Sequence, residues 1–208
     1  VARQDISWLR SEIVVGVNLA HRITVPQGWV ATYTTTADWL VARDAAEEWA
    51  MLDGIRGPLT RLVLSNTILR VKMTRTFAKR PNHSWRNLVT RRGVSLRYGG
   101  AFDWNCAGEA KILRGTSSVG MMALPWALFL GLNPIYLLGC DCTARGHAYA
   151  DGGKFSPRAL FLWQHKFKPG MAMIRKAVEA RGRKIFNATL GGSLEAFERV
   201  DFDSLKGG

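Results

Sequence analysis

Between Gly54 and Phe102 the chain has no aspartate or glutamate, forty-nine residues without one acidic side chain. A face that serves only solubility mixes both signs of charge, so this gap is out of keeping with a merely solvated surface. Cysteine is also scarce: three in 208 residues, an odd number, with two of them close together at Cys140 and Cys142. That argues against a disulfide framework and for a reducing compartment. No run of eighteen apolar residues occurs and the N-terminus shows no signal-peptide pattern, so a cytoplasmic protein with no membrane span is expected. Cys140, Cys142 and His147 offer soft ligands, but their spacing matches no recognised zinc pattern and no metal site is expected there. Internal repeats and low-complexity tracts are absent as well.

What is present fits one α/β domain. At 208 residues and 47% hydrophobic content the chain can bury a substantial core yet is short for two domains. The formal charge is +13, from 29 Lys+Arg against 16 Asp+Glu, which attracts polyanions. Strand-like segments at Ile13–Val17, Trp29–Tyr33, Leu62–Leu64, Ile135–Leu138 and Lys184–Phe186 alternate with helical ones at about 38–52, between Ser118 and Gly131, and at about 171–181. This alternation predicts a mostly parallel sheet with helices on both faces, Rossmann-like in outline. A helical turn at 5–10 and a tail at 194–205 packed across the sheet edge complete the expected fold.

Two regions carry chemistry. The run Gly115-Thr116-Ser117-Ser118-Val119-Gly120 precedes an apolar helix that Gly131 closes, Asn133-Pro134 makes the turn, and the strand Ile135–Leu138 leads to Gly139-Cys140-Asp141. Ser117, Ser118 and Gly120 suit a helix start, where free backbone N–H groups attract anions. The strand is short and apolar, as strands buried on both faces of a parallel sheet are, and Asp141 falls at its carboxyl end, the edge where open α/β sheets bind ligands. The plainer reading is a capped helix in one more α/β unit. Pro125 lies too deep for a first turn, and predicts a kink or a later helix start.

The second region is the acid-free one. From about 66 to 102 it forms a basic excursion in which Arg75, Lys79, Arg80, Arg86, Arg91, Arg92 and Arg97 are interleaved with Phe77, His83, Trp85 and Tyr98. Cations neutralise phosphates and aromatics stack on bases, so this composition suits a nucleic-acid groove, DNA included. A solvated basic face is the plainer alternative.

The stretch from Ser118 to Thr189 resembles the nucleotide-binding α/β superfamily shared by small bacterial CMP-sialic-acid sialyltransferases and 6-hydroxymethylpterin diphosphokinase-like proteins, some carried by phages. The pattern stands here as Ser118-Val119-Gly120, Ala123, Leu130-Gly131, Tyr136-Leu137, Gly139 and Asp141. The resemblance implies a nucleotide-sugar donor and glycosyl transfer without a required metal. It implies that Tyr149 stabilises the departing phosphate, that His165 is the general base, and that Asn18, at the end of an early strand, contacts the donor nucleotide; His147, an imidazole in the loop after Asp141, is a second candidate base on its chemistry alone. The superfamily's loop Ser is Val119 here, and its second phosphate-contacting tyrosine is Thr143. The superfamily also opens with a strand and a Gly-Pro-Ser-type loop, and the chain is expected to lack both. The basic excursion invites a nucleic-acid acceptor, and the resemblance to phage-carried members implies that it could be a modified phage base in a host cytoplasm. Two rivals stay open: a diphosphokinase needing ATP and Mg²⁺, and a non-enzymatic nucleic-acid-binding protein on the same fold.

Overall fold

The structure is a computed structural model and describes residues 4–36, 41, 45–56, 61–64, 103–104, 110–111, 119–129, 131–142, 161, 165 and 167–207. Its first sheet is parallel, in the order β1 (Val15–Val17), β2 (Tyr33–Thr36), β3 (Arg61–Leu64), with Val15 opposite Tyr33 and Tyr33 opposite Arg61. The crossover from β1 to β2 carries the short helix α1 (His21–Thr24) and a 3-10 turn at Val25–Gln27; α2 (Ala46–Arg56) joins β2 to β3. A small antiparallel pair, β4 (Asp103–Trp104) and β5 (Ala110–Lys111), follows.

The second sheet repeats one device twice. Helix α3 (Val119–Phe129) feeds β6 (Ile135–Leu137), and α4 (Lys168–Glu179) feeds β7 (Ile185–Asn187). Each helix stops at a left-handed glycine, Gly131 at φ 82° and Gly182 at φ 66°. Around the first, the Gly131 N–H donates to Leu128 O and the Leu132 N–H to Ala127 O; around the second, Gly182 N–H meets Glu179 O and Arg183 N–H meets Val178 O. These paired bonds are the Schellman arrangement, which satisfies the last carbonyls of a helix and turns the chain sharply back. The strands pair in parallel, Ile135 opposite Ile185, and β8 (Glu198–Arg199) adds in parallel on the far side of β7.

Alternation along β6 and β7 sends their side chains into two cores. Ile135, Leu137 and Ile185 join Met121 and Leu124 of α3, Met171, Ile174 and Val178 of α4, and Leu194 and Phe197. Gly170 lets the two helices close up, since a Cβ there would collide with the Met121 side chain. On the other face Leu138, Ala188 and Val200 pack with Ile6, Trp29 and Phe202, a cluster that also takes in Trp8, Val14 and Ile23 and so ties the two halves of the chain together. Helix α3 packs on β1 and β2 as well.

Several sequence expectations shift. The second strand forms at Tyr33–Thr36 rather than at Trp29–Tyr33, because Trp29, Val30 and Ala31 are spent as buried packing ahead of the ladder. Strand β6 is not buried on both faces: Tyr136 is 42% exposed and stacks on Phe186, with ring centroids 5.5 Å apart. Helix α3 starts at Val119 and runs through Pro125, so the proline marks no later start. The tail does more than lie across an edge, since Glu198 and Arg199 extend the sheet. The α/β character and the parallel strands are as expected; the basic excursion lies outside the described residues apart from its flanks. Among the described residues no helix is long and apolar enough to cross a membrane.

Candidate functional site

The carboxyl edge of the second sheet is built by chain direction. Helix α4 has 12 residues, about 18 Å of axis, and its last turn connects through Gly182 to the amino end of β7. Its first turn therefore stands at the carboxyl edge, as does the first turn of α3, whose end leads into β6. Gly120, Asp141 and His165 are thereby assigned to one edge. Asn18 stands at the carboxyl edge of the first sheet, at the end of β1.

Asn18 departs from ordinary backbone geometry, with φ 53°. Its N–H continues the ladder to Thr35 O at 2.8 Å, and its Oδ1 accepts from the hydroxyl of the fully buried Thr36 at 2.8 Å. Left-handed backbone at a residue other than glycine is uncommon, though asparagine tolerates it best. Among the described residues its Nδ2 hydrogens have no acceptor.

Asp141 is held through its backbone. The Ser193 N–H donates to Asp141 O at 2.6 Å, and the Ser193 hydroxyl donates to Cys142 O at 2.8 Å. One residue earlier the Cys140 N–H donates to the Thr189 hydroxyl at 3.0 Å. Gly192, at φ 89°, lies so close to the Asp141 backbone that any Cβ would strike it. Cys142 is buried and left-handed, at φ 53°. Burial pushes both thiols up to about 12, so they act as small packed groups rather than nucleophiles. Among the described residues the Asp141 carboxylate takes no hydrogen bond or ion pair.

His165 is exposed and lies in a wide π-type turn just ahead of α4, its ring 4.4 Å from that of Phe161 between centroids. Gly120 is the second residue of α3. Tyr149, His147, Ser117, Ser118 and the basic residues Arg75, Lys79, Arg80, Arg86, Arg91, Arg92 and Arg97 lie outside the described residues.

Sequence reasoning missed the two best-organised polar clusters. One is the segment Ala188–Ser193 with Arg199, whose guanidinium donates to Thr189 O at 3.1 Å and to Gly192 O at 3.0 Å. The Gly191-Gly192 doublet after a strand is the signal that could have marked it. The other is His21, buried to 6% exposure. The Trp49 indole N–H donates to its Nδ1 at 3.3 Å, and its Nε2 lies 2.6 Å from the Glu48 carboxylate. An indole can only donate, so Nδ1 is the acceptor and Nε2 carries the proton. Both ring nitrogens are spent, and His21 is a structural histidine. Arg22 adds a two-pronged grip on Glu48, at 2.7 and 2.9 Å. Arg22 first, and His21 second, hold the Glu48 carboxyl down at about 2.

Among the described residues no group of three or more His, Cys, Asp or Glu stands together as metal ligands. Comparisons with protein-family models, with curated proteins and with solved structures find no match.

Proposed function

We propose that this chain is a glycosyltransferase that uses a nucleotide-sugar donor, built on a Rossmann-like α/β domain, with a nucleic acid as acceptor. The observation that supports the reading is chain direction at the second sheet: Asp141 follows β6, and α3 and α4, which begin near Gly120 and His165, lead back to the amino ends of β6 and β7, so all three belong toward the carboxyl edge, where ligands of α/β folds bind. Asn18, in a strained conformation at the end of β1, extends the same logic to the first sheet. The resemblance to the sialyltransferase and diphosphokinase-like superfamily supplies the reaction class.

In this reading the acceptor hydroxyl attacks the anomeric carbon of the donor, the bond from that carbon to the phosphate oxygen breaks, and the nucleotide leaves with the electron pair. His165 takes the acceptor proton; an exposed imidazole suits that task, and general-base catalysis contributes about 10²–10⁴-fold. His147 is the second candidate. Ser117, Ser118, Gly120 and Tyr149 stabilise charge on the leaving phosphate, Asn18 contacts the donor nucleotide, and Asp141 accepts from a ribose or sugar hydroxyl. Arg75, Lys79, Arg80, Arg86, Arg91, Arg92 and Arg97 hold the phosphates of the acceptor, which the +13 charge and the acid-free run support.

The test is a binding and turnover panel: CMP, UDP, GDP and ATP with and without Mg²⁺, then release of nucleotide from the matching sugar donor in the presence of single-stranded or duplex DNA. Metal-independent binding of one nucleotide, with turnover lost in His165→Ala, is the expected result. Binding of ATP alone, with an activity that EDTA abolishes, would replace this reading with the diphosphokinase, for which the lone Asp141 carboxylate would help hold Mg²⁺ against the substrate phosphates. Binding of DNA alone would make the protein a nucleic-acid-binding module.

A further inference from the structure

We propose that the segment Ala188–Ser193 is a backbone clasp that fixes the Asp141–Cys142 turn, and that Arg199 is its positioning residue. This rests on the reading that a nucleotide ligand meets Asp141. Neither Arg199 nor the clasp is a residue that the sequence pattern points to.

The clasp is tied at both ends. At its base Asn187, fully buried, donates through Nδ2 to Leu194 O at 3.0 Å and accepts the Thr189 N–H on Oδ1 at 3.0 Å. Thr189 then receives the Cys140 N–H and lies 3.3 Å from Leu137 O, while the Ala188 N–H reaches Leu137 O at 3.0 Å. At its tip Ser193 bonds both Asp141 O and Cys142 O, with Gly192 pressed against the Asp141 backbone. Arg199 braces the span between, one guanidinium nitrogen on Thr189 O and the other on Gly192 O. Its own position is set by β8, where it pairs with Asn187.

Two features separate this from ordinary loop packing. The tip buries little: Leu190 is 76% exposed and Gly191 and Gly192 are exposed too, so the tip, unlike the buried Ala188 and Thr189 at the base, is not there to cover the core. And its bonds end on main-chain atoms of Asp141 and Cys142, which holds a left-handed residue in place beside a carboxylate that has no partner among the described residues. A site that must present one carboxylate in one orientation gains from a backbone fixed before the ligand arrives. Arg199 reaches two carbonyls with a rigid planar fork, a geometry a lysine ammonium does not reproduce.

The experiment compares the natural chain with Arg199→Ala and Arg199→Lys, reading three quantities on each: alkylation of Cys142 assigned by fragment mass spectrometry, the unfolding midpoint in urea, and the Kd of whichever of CMP, UDP or GDP binds the natural chain. Cys142 is buried in the core cluster that also holds Leu194, the residue after the clasp, and should react slowly. Arg199→Ala is expected to speed its alkylation at least tenfold under native conditions and to weaken nucleotide binding about tenfold, while Arg199→Lys falls between. Unchanged alkylation in folded Arg199→Ala overturns the clasp. Faster alkylation with unchanged nucleotide affinity overturns the positioning role. If the natural chain binds no nucleotide, the functional reading fails and takes the positioning role with it, while the alkylation result still decides the clasp.

Discussion

At the end of β1 polar side chains bond one another: Thr36 fixes Asn18, and a few residues on His21 and Arg22 close a network with Glu48 and Trp49 that leaves no ring nitrogen of His21 to spare. At the end of β6 the main chain is what is bonded, and among the described residues the Asp141 carboxylate has no partner. The same residue types therefore do opposite work in the two regions. A histidine bonded at both nitrogens and a carboxylate gripped by an arginine are structural, however much they resemble a catalytic pair. A carboxylate beside a rigid, oddly shaped backbone is the better candidate for chemistry. Partner count, rather than residue type, separates the two.

The comparison breaks most sharply at His21. His21→Ala removes the acceptor of a buried indole N–H and leaves a cavity beside Trp49; an unpaired buried donor alone costs about 1–3 kcal/mol. A loss of about 2–4 kcal/mol in chemical denaturation is expected, with nucleotide affinity of the folded fraction unchanged. A folded His21→Ala with native stability but no turnover would make His21 catalytic and reverse the contrast.

On the other side, Asp141→Asn should cost less than about 0.5 kcal/mol in stability, because no described partner depends on its charge, yet weaken nucleotide binding. Calorimetric titration beside a urea melt separates the two effects. A large stability loss with intact binding would move Asp141 into the structural class.

The smallest effect is acid sensitivity. Glu48 is held at about 2 against an ordinary 4.5. A depressed carboxyl contributes stability that is present above the unfolded value and is lost as pH falls through the folded one. The contribution should therefore fade between about 4.5 and 2. Since Glu48 is a third exposed, solvent screens much of this. Glu48→Gln should flatten the difference between melts at pH 6 and pH 3, and an identical acid response in both proteins would show that the carboxylate is not the group involved.

Local signals in the sequence were legible where one residue decides the geometry. Gly131 and Gly182 end α3 and α4 because each sits in left-handed backbone, and the strands that follow begin where the apolar runs begin. The Asp141 edge was legible for the same reason, since strand, glycine and carboxylate are consecutive. Trp29–Ala31 misled because β-branched and aromatic residues fill a core as readily as they form a ladder. The clusters around His21 and Arg199 were invisible because their partners are set by folding: Glu48 is 27 residues from His21, and Ser193 is 51 from Cys142. No periodicity or motif encodes a bond from a side chain to a distant carbonyl.

The central claim is that a nucleotide binds the carboxyl edge formed by β6 and β7. Its most direct test is amide hydrogen exchange of the chain with and without a saturating nucleotide, read residue by residue. Protection concentrated at Asn18, Gly139–Cys142 and Thr189–Ser193 is the result expected. Protection confined to other segments, or none at a concentration that shifts the melting temperature, would contradict it.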